Sequence, residues 1–275
     1  GIRLSFEEFL KFGTVAIPLI IICILSVLVL VKLLIKKVPI SSKMSYLIAI
    51  GTSVCGATAI VAIAPVIEAK KTEVAYAIAN ITLFGVIAML VYPYFAEWYF
   101  DGEPIMAGLF LGTSIHETSQ VAAAGLIYDQ QFNSPETLNV ATVTKLIRNT
   151  FLVIMVPLFG FLYNRGKVKD KKYSIFSIFP FFVLGFIGMI IIRNIGDQIF
   201  IAENSNYEIW KFFISYTKSL ATVFLTMAMA AVGISINLSE LKSMGYKPFV
   251  VGLIAAITVG IVSIISLETF LKYFV

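Results

Sequence analysis

Ionisable and metal-binding side chains are scarce in this sequence of 275 residues. Charged residues make up 13% of it, and it contains one histidine and two cysteines. Two cysteines in separate apolar stretches, Cys23 and Cys55, argue against a secreted disulfide framework and are expected to be reduced thiols. No His-Glu-x-x-His pattern or comparable nucleophile motif is present. We therefore expect no enzyme, no bound metal and no cofactor.

The basic residues do not form a nucleic-acid surface. The net charge is +5, but lysine and arginine lie at the edges of apolar stretches, as in Lys36-Lys37 and the run from Arg165 to Lys172. A nucleic-acid partner would require a contiguous basic face, so this class of protein is not expected.

Apolar residues are abundant instead, at 59% of the chain with a mean hydropathy of +0.93. This composition predicts an all-α integral membrane protein with the lipid bilayer as its main partner. No Pro- or Ser-rich linker divides the chain, so residues 1–275 are predicted to form one transmembrane domain. The opening residues, Gly1 to Ser5, resemble the tail of a preceding span and predict further N-terminal helices. Six apolar runs approach or exceed the about 20 residues that cross a bilayer: 13–35, 73–97, 139–164, 173–193, 215–234 and 248–270.

A short motif occurs twice, and both copies lie in apolar surroundings. Gly51-Thr-Ser-Val-Cys-Gly-Ala-Thr58 is followed 61 positions later by Gly112-Thr-Ser-Ile-His-Glu-Thr-Ser119. Glycine and small hydroxyl residues are poor helix formers, so each copy predicts a break in a membrane helix. Repeated breaks of this kind indicate a transporter binding site near the bilayer midplane. The candidate substrate-binding residues are Thr52, Ser53, Cys55, Gly56, Thr58, Thr113, Ser114, His116, Thr118 and Ser119.

The charges flanking the two motifs differ in sign. Lysines flank the first motif segment, residues 45–68, and acidic residues flank the second, residues 104–128. Because positive charge marks the cytoplasmic side, this predicts two re-entrant hairpins that enter from opposite faces and form an inverted pair. Two broken helices that cross the membrane fully remain an alternative at this stage.

Four ionisable side chains fall inside apolar segments: Lys145, Arg148, His116 and Glu117. Lys145 and Arg148 lie one helical turn apart, and a buried cation is costly unless it has a function, so we expect them to counter an anionic substrate. Snorkelling to the interface, or a structural ion pair with Glu117, is the alternative. His116 and Glu117 are candidates to carry a coupling proton, although a lone histidine is more often a structural hydrogen-bonding group.

Three stretches resemble the YeiH-type family of proposed sulfate exporters: Gly51 to Gly56 with Ala64 to Ile67, Gly112 to Glu117, and Ala141 to Arg148. The resemblance covers nearly the whole chain. It implies a multi-pass secondary transporter of the bacterial inner membrane, within the bile acid, arsenite and riboflavin transporter superfamily, that moves sulfate or a sulfonate. Ala57 departs from the family pattern, in which Asn is frequent, so no tip ligand is implied at that position.

The sequence leaves several alternatives to this anion transporter. Motif carbonyls could bind Na⁺ as well as motif N–H groups bind an anion, which would suit a Na⁺-coupled carboxylate symporter. A passive channel, and an intramembrane enzyme that uses His116, Glu117 and Cys55, are more remote alternatives. The Phe-rich faces fit contact with lipid and fit a homodimer equally well.

Overall fold

Every regular element in the described part of the chain is an α-helix. A computed structural model describes residue 2 and residues 6–164, 182–201, 206–234, 239, 242 and 245–271. Its helices are α1 (Phe6–Leu34), α2 (Ser42–Ser53), α3 (Ala57–Ile63), α4 (Lys71–Tyr99), α5 (Pro104–Ser114), α6 (Thr118–Phe132), α7 (Pro135–Thr150), α8 (Leu152–Asn164), α9 (Phe182–Ile199), α10 (Tyr207–Ile234) and α11 (Lys247–Leu271).

Four stretches of these helices are long and apolar enough to cross a bilayer, which confirms the predicted all-α membrane class. They are Leu10–Leu34, Lys71–Tyr99, Pro135–Phe161 and Lys247–Thr269. They match four of the six predicted spans. Of the other two, 215–234 falls inside α10, and 173–193 begins outside the described residues and ends inside α9.

Local sequence signals set the ends of the helices around the second motif. Pro104 and Pro135 open α5 and α7, positions where a missing N–H costs nothing. The Glu103 carboxylate accepts a hydrogen bond from the Met106 amide at 2.7 Å and so caps α5. Helix α6 ends at Asn133, which adopts the left-handed conformation with φ 55°.

Helices α2 and α3 form a hairpin, called here the first hairpin. The Lys43 ammonium donates to the Glu68 carbonyl, so the start of α2 lies beside the chain that follows α3. The Ser41 hydroxyl donates to the Glu73 carboxylate at 2.6 Å. Both outer ends of the first hairpin therefore lie at the amino end of α4.

Helices α5 and α6 form the second hairpin, and α7 packs against both of its arms. The Thr137 hydroxyl donates to the Pro104 carbonyl at 3.2 Å, which aligns the starts of α5 and α7. Gly125 of α6 lies against Leu138, and the Asn149 amide donates to the Thr118 hydroxyl at 3.0 Å, so α6 runs antiparallel to α7. The arms of the second hairpin thus point in opposite directions, with its tip beside the carboxyl end of α7.

Helix α4 relates the two hairpins to each other. Its amino end contacts the outer ends of the first hairpin through Glu73, and Glu97, near its carboxyl end, accepts from the Tyr128 hydroxyl of the second hairpin at 2.5 Å. Between them, Thr82 donates to Glu117 at the tip of the second hairpin at 3.3 Å. The hairpins therefore approach from opposite ends of α4 and meet near its middle. An origin by internal duplication, and the assignment of each face to a cellular side, stay predictions.

Candidate functional site at the hairpin tips

Both motifs break their helices. The first hairpin has a three-residue break, Val54 to Gly56, between α2 and α3, and the second has the break Ile115 to Glu117 between α5 and α6. Gly56 adopts φ 67° and ψ −126°, a conformation that side-chain-bearing residues rarely take. Each tip therefore presents the carboxyl end of one short helix and the amino end of the next.

Arg148 binds the carboxyl ends of both hairpins. Its Nε donates to the Ser53 carbonyl at 2.9 Å, and its Nη2 donates to the Thr52 carbonyl. Its Nη1 donates to the Thr113 carbonyl of the other hairpin at 2.5 Å. These carbonyls belong to the last turn of α2 and α5, where helical partners are missing and the dipole is negative. Arg148 is fully buried, at 0% exposure, so it ties the two tips together in the protein interior.

Lys145 makes a second connection of the same kind. Its ammonium donates to the Val54 carbonyl at 2.9 Å, to the Ile115 carbonyl at 3.0 Å and to the His116 carbonyl. The side chain is 0% exposed. An ammonium has three N–H donors, and here each has a carbonyl partner. Full burial on these carbonyls is incompatible with snorkelling to the interface, one of the alternatives that the sequence had left.

Glu117 supplies the negative charge at the tips. Its Oε1 accepts from the Ala57 amide at 3.4 Å and from the Thr82 hydroxyl at 3.3 Å. The carboxylate thus lies at the amino end of α3, where a helix favours an anion. Gly56, the equivalent position in the first motif, faces it closely, since a Cβ built there would lie 2.6 Å from the Glu117 Cγ.

The hydroxyl groups predicted to bind substrate divide into two sets. The Thr113 hydroxyl is engaged with the Leu109 carbonyl at 2.7 Å and the Ser263 hydroxyl at 2.6 Å, and Ser114 donates to the Phe110 carbonyl at 2.5 Å. In contrast, seven buried polar atoms have no partner among the described residues, and buried atoms of this kind mark sites that call for a ligand or water. Three of them are amide oxygens, of Asn80, Gln120 and Asn149, and the other four lie in or beside the motifs. These four are Thr52 Oγ1, Ser53 Oγ, His116 Nδ1 and Thr144 Oγ1.

The first turns of α6 and α3 each carry an exposed residue at the tips. Thr118 is half-buried, and its hydroxyl accepts from the Asn149 amide. Ser119 is exposed, and Glu117, which precedes the helix, makes no side-chain cap to it. The first-turn N–H groups of this 15-residue helix therefore lie beside an exposed hydroxyl. Thr58, the equivalent of Ser119 in the first hairpin, is also exposed.

Most of the tip contacts involve residues that the sequence had singled out, but those of Thr82, Gln120 and Ser263 do not. Thr82 and Gln120 were missed, although Thr82 holds the Glu117 carboxylate and its carbonyl accepts from the Gln120 amide at 3.1 Å. Neither belongs to a motif or breaks a helical pattern, so only their neighbours in space reveal them. Cys55 and His116 are buried at the tips. Within the described ranges, no three His, Cys, Asp or Glu side chains gather as a metal site.

Comparisons with known proteins place this chain in a family. Residues 1–252 match the family described as "Conserved hypothetical protein 698". The chain belongs to the UPF0324 membrane protein family. A UPF0324 membrane protein of Fusobacterium nucleatum, FN0533, is 34% identical over 96% of this chain and 77% of its own length. SAG1125 of Streptococcus agalactiae is 34% identical over 97% of this chain and 76% of its own length.

The comparisons confirm the YeiH-type resemblance that the three sequence stretches had indicated. A relative from Clostridium tetani is 32% identical over 96% of this chain and 75% of its own length, and it too is named a UPF0324 membrane protein. These names say that the relatives are membrane proteins and give no substrate. No solved structure matches the chain.

Proposed function

We propose that this chain is a secondary transporter that moves a small anion of the sulfate or sulfonate class across the bacterial inner membrane, with a proton as the coupling ion. The observation that carries the proposal is the meeting of two opposed hairpins at a buried cluster of charge. This cluster contains two basic side chains, Lys145 and Arg148, and one acidic side chain, Glu117, all of them buried. Intramembrane charge is costly and marks ion or substrate pathways, and an excess of positive charge favours an anion.

The amino end of α6 is the proposed anion site. Its N–H groups and helix dipole attract negative charge, and the hydroxyls of Thr118 and Ser119 lie in its first turn. The buried cations do not need to touch the anion in this arrangement. They hold the carboxyl ends of α2 and α5 and add to the positive potential around the site.

The occupied carbonyls favour an anion transporter over a Na⁺-coupled symporter. Carbonyls at the ends of broken helices are the usual ligands for a coupling Na⁺. Here those of Thr52, Ser53, Val54, Thr113, Ile115 and His116 already accept hydrogen bonds from Lys145 or Arg148. A free Na⁺ would have to compete with two fixed cations for the same oxygen atoms.

Glu117 is the proposed carrier of the coupling proton, with His116 beside it. The carboxylate joins the second hairpin to the amino end of α3 and to α4. Protonation removes its charge and weakens its attraction to the α3 dipole. Proton binding would therefore loosen a contact between the two hairpins, and movement of the hairpins against the remaining spans would give alternating access.

Uptake of labelled sulfate into proteoliposomes tests the proposal. The full chain is reconstituted, and uptake is measured with and without an imposed pH gradient, in Na⁺-free buffer and again with Na⁺. We expect saturable uptake that the pH gradient drives and that Na⁺ does not change. Uptake of a carboxylate that requires Na⁺, with no uptake of sulfate or of a sulfonate above empty liposomes, would overturn the proposal.

A further inference from the structure

The carbonyl ends of the two hairpins converge on one point in the interior. Val54 follows the last residue of α2, and Ile115 and His116 follow the last residue of α5. Their carbonyl oxygens all contact the Lys145 ammonium, at 2.9 Å for Val54 and 3.0 Å for Ile115. Three carbonyl dipoles that point at one place repel one another unless a positive charge lies between them.

We infer that these three carbonyls form a binding site for a monovalent cation, which the tethered ammonium of Lys145 fills in the native chain. In broken-helix transporters such carbonyl ends ligate a free ion. Here the ammonium of Lys145 is that cation, so the carbonyl ends of the two hairpins are held together without a free alkali ion. Shortening Lys145 to alanine opens the site to a free cation. This inference concerns only the cage formed by the carbonyls of Val54, Ile115 and His116, and it holds whether or not the chain transports an anion.

The dimensions of the cage indicate which ion would enter. An ammonium group and K⁺ are similar in size, and carbonyl oxygens can surround either of them. Na⁺ is smaller and holds its ligands closer, so the oxygens around Lys145 would have to move inward to bind it. The cage exposed by Lys145→Ala should therefore prefer K⁺ to Na⁺. A bound K⁺ would also preserve the charge beside Arg148.

Thermal unfolding of the full chain in detergent tests the inference. Wild type, Lys145→Ala and Lys145→Met are compared in choline chloride, NaCl and KCl at equal ionic strength. Methionine keeps the length of the lysine stem without the charge, so it fills the space that a free ion would need. We expect the wild type to unfold at the same temperature in all three salts.

The alanine variant should respond to the salt, and the methionine variant should not. Lys145→Ala should unfold at a lower temperature than wild type in choline chloride and should gain about 3 °C or more as KCl is raised to saturation, with a smaller gain in NaCl. Lys145→Met should be destabilised equally in the three salts. Identical unfolding temperatures for Lys145→Ala in all salts would overturn the inference, and so would a saturable rise of the wild type with K⁺ or Na⁺.

Poor yield of the variant does not leave the inference untested. The cytoplasm of an expression host is rich in K⁺, so the inference requires Lys145→Ala to fold there and to remain folded during purification in KCl. Unfolding of the purified variant when KCl is exchanged for choline chloride would support the inference. Failure to obtain folded protein in KCl would contradict it.

Discussion

The two hairpins are alike at one end of each break and different at the other. At the carboxyl ends, α2 and α5 both give their last carbonyls to Lys145 and Arg148. At the amino ends, α3 receives the Glu117 carboxylate, whereas the first turn of α6 lies beside the exposed side chain of Ser119. The chain therefore supplies its own counter-charges at three of these four helix ends, and the fourth, the amino end of α6, has no side-chain cap.

This asymmetry arises from one pair of equivalent positions. The first motif has glycine at position 56, and the second has glutamate at position 117. The missing side chain at Gly56 makes room for the Glu117 carboxylate to reach the neighbouring hairpin. This difference within the repeated motif places the Glu117 carboxylate at the amino end of α3 and leaves the amino end of α6 without a side-chain cap.

Removal of Arg148 should have the largest effect, because it takes the guanidinium from the carboxyl ends of both hairpins. Arg148→Ala leaves several buried carbonyls unpaired, and we expect a loss of about 3–5 kcal/mol in the free energy of unfolding. Thermal and denaturant unfolding in detergent measure it. The matched control is Arg193→Ala, which removes a partly exposed pair with Asp197 and should cost less than about 1 kcal/mol. Equal losses of unfolding free energy in the two variants would contradict the conclusion that Arg148 holds the two tips together.

Gly56→Ala should have the next largest effect on the free energy of unfolding, because it disturbs the contact between the hairpins. A side chain at φ 67° costs about 1–3 kcal/mol, and the new Cβ also displaces Glu117. Gly245→Ala is the control, since Gly245 has φ 74° and no atom of the described residues lies within 4 Å of its built Cβ. The difference in unfolding free energy between the two variants combines the contact with Glu117 and the strain of the Gly56 backbone at ψ −126°. A smaller loss at Gly56 than at Gly245 would show that this contact does not hold the tips.

Glu117→Gln should separate proton coupling from folding. Glutamine keeps the size of the side chain and its acceptor oxygen but cannot release a proton, so we expect uptake that no longer responds to an imposed pH gradient. Glu136→Gln, on the exposed first turn of α7, should leave the response unchanged. Flux assays in proteoliposomes compare the two. A full pH response in Glu117→Gln would remove Glu117 as the proton carrier.

The smallest expected effect is a change in KM, and it compares the amino ends of α6 and α3. Ser119→Ala removes a hydroxyl from the proposed anion site, and we expect the KM for the anion to rise about threefold to tenfold. Thr58→Ala makes the equivalent change in the first hairpin, where Glu117 already occupies the helix end, and should change KM less than twofold. A larger effect at Thr58 than at Ser119 would move the anion site to the first hairpin.

The sequence predicted the positions of the breaks and singled out the two cations, but it left their burial and their snorkelling to the interface as alternatives. Glycine and small hydroxyl residues are poor helix formers and so favour a break in an apolar stretch, and the cost of lysine and arginine in a span favours a place inside the protein. The partners of the cations could not be predicted in this way. Arg148 contacts carbonyls 95 and 96 residues away, which it reaches because α7 packs on the second hairpin with its carboxyl end beside the tip of the first.

The sequence could not predict the roles of residues that have no local signal. Thr82 lies in an unbroken apolar helix and acquires its role only because the tip of the second hairpin stops beside it. The engaged state of Thr113 likewise depends on Ser263, which is 150 residues away. Motifs therefore located the tips, whereas the distinction between structural and accessible hydroxyls required the packing of the helices.

Cysteine labelling at position 119 tests the central claim most directly. The two native cysteines are buried, so Ser119→Cys can be labelled with a membrane-impermeant maleimide in vesicles of both orientations. The account predicts that the new thiol reacts and that sulfate or a sulfonate slows its labelling in a concentration-dependent way, while choline chloride at equal ionic strength does not. Labelling that no small anion slows, or a thiol that reacts from neither side, would contradict an anion site at the amino end of α6.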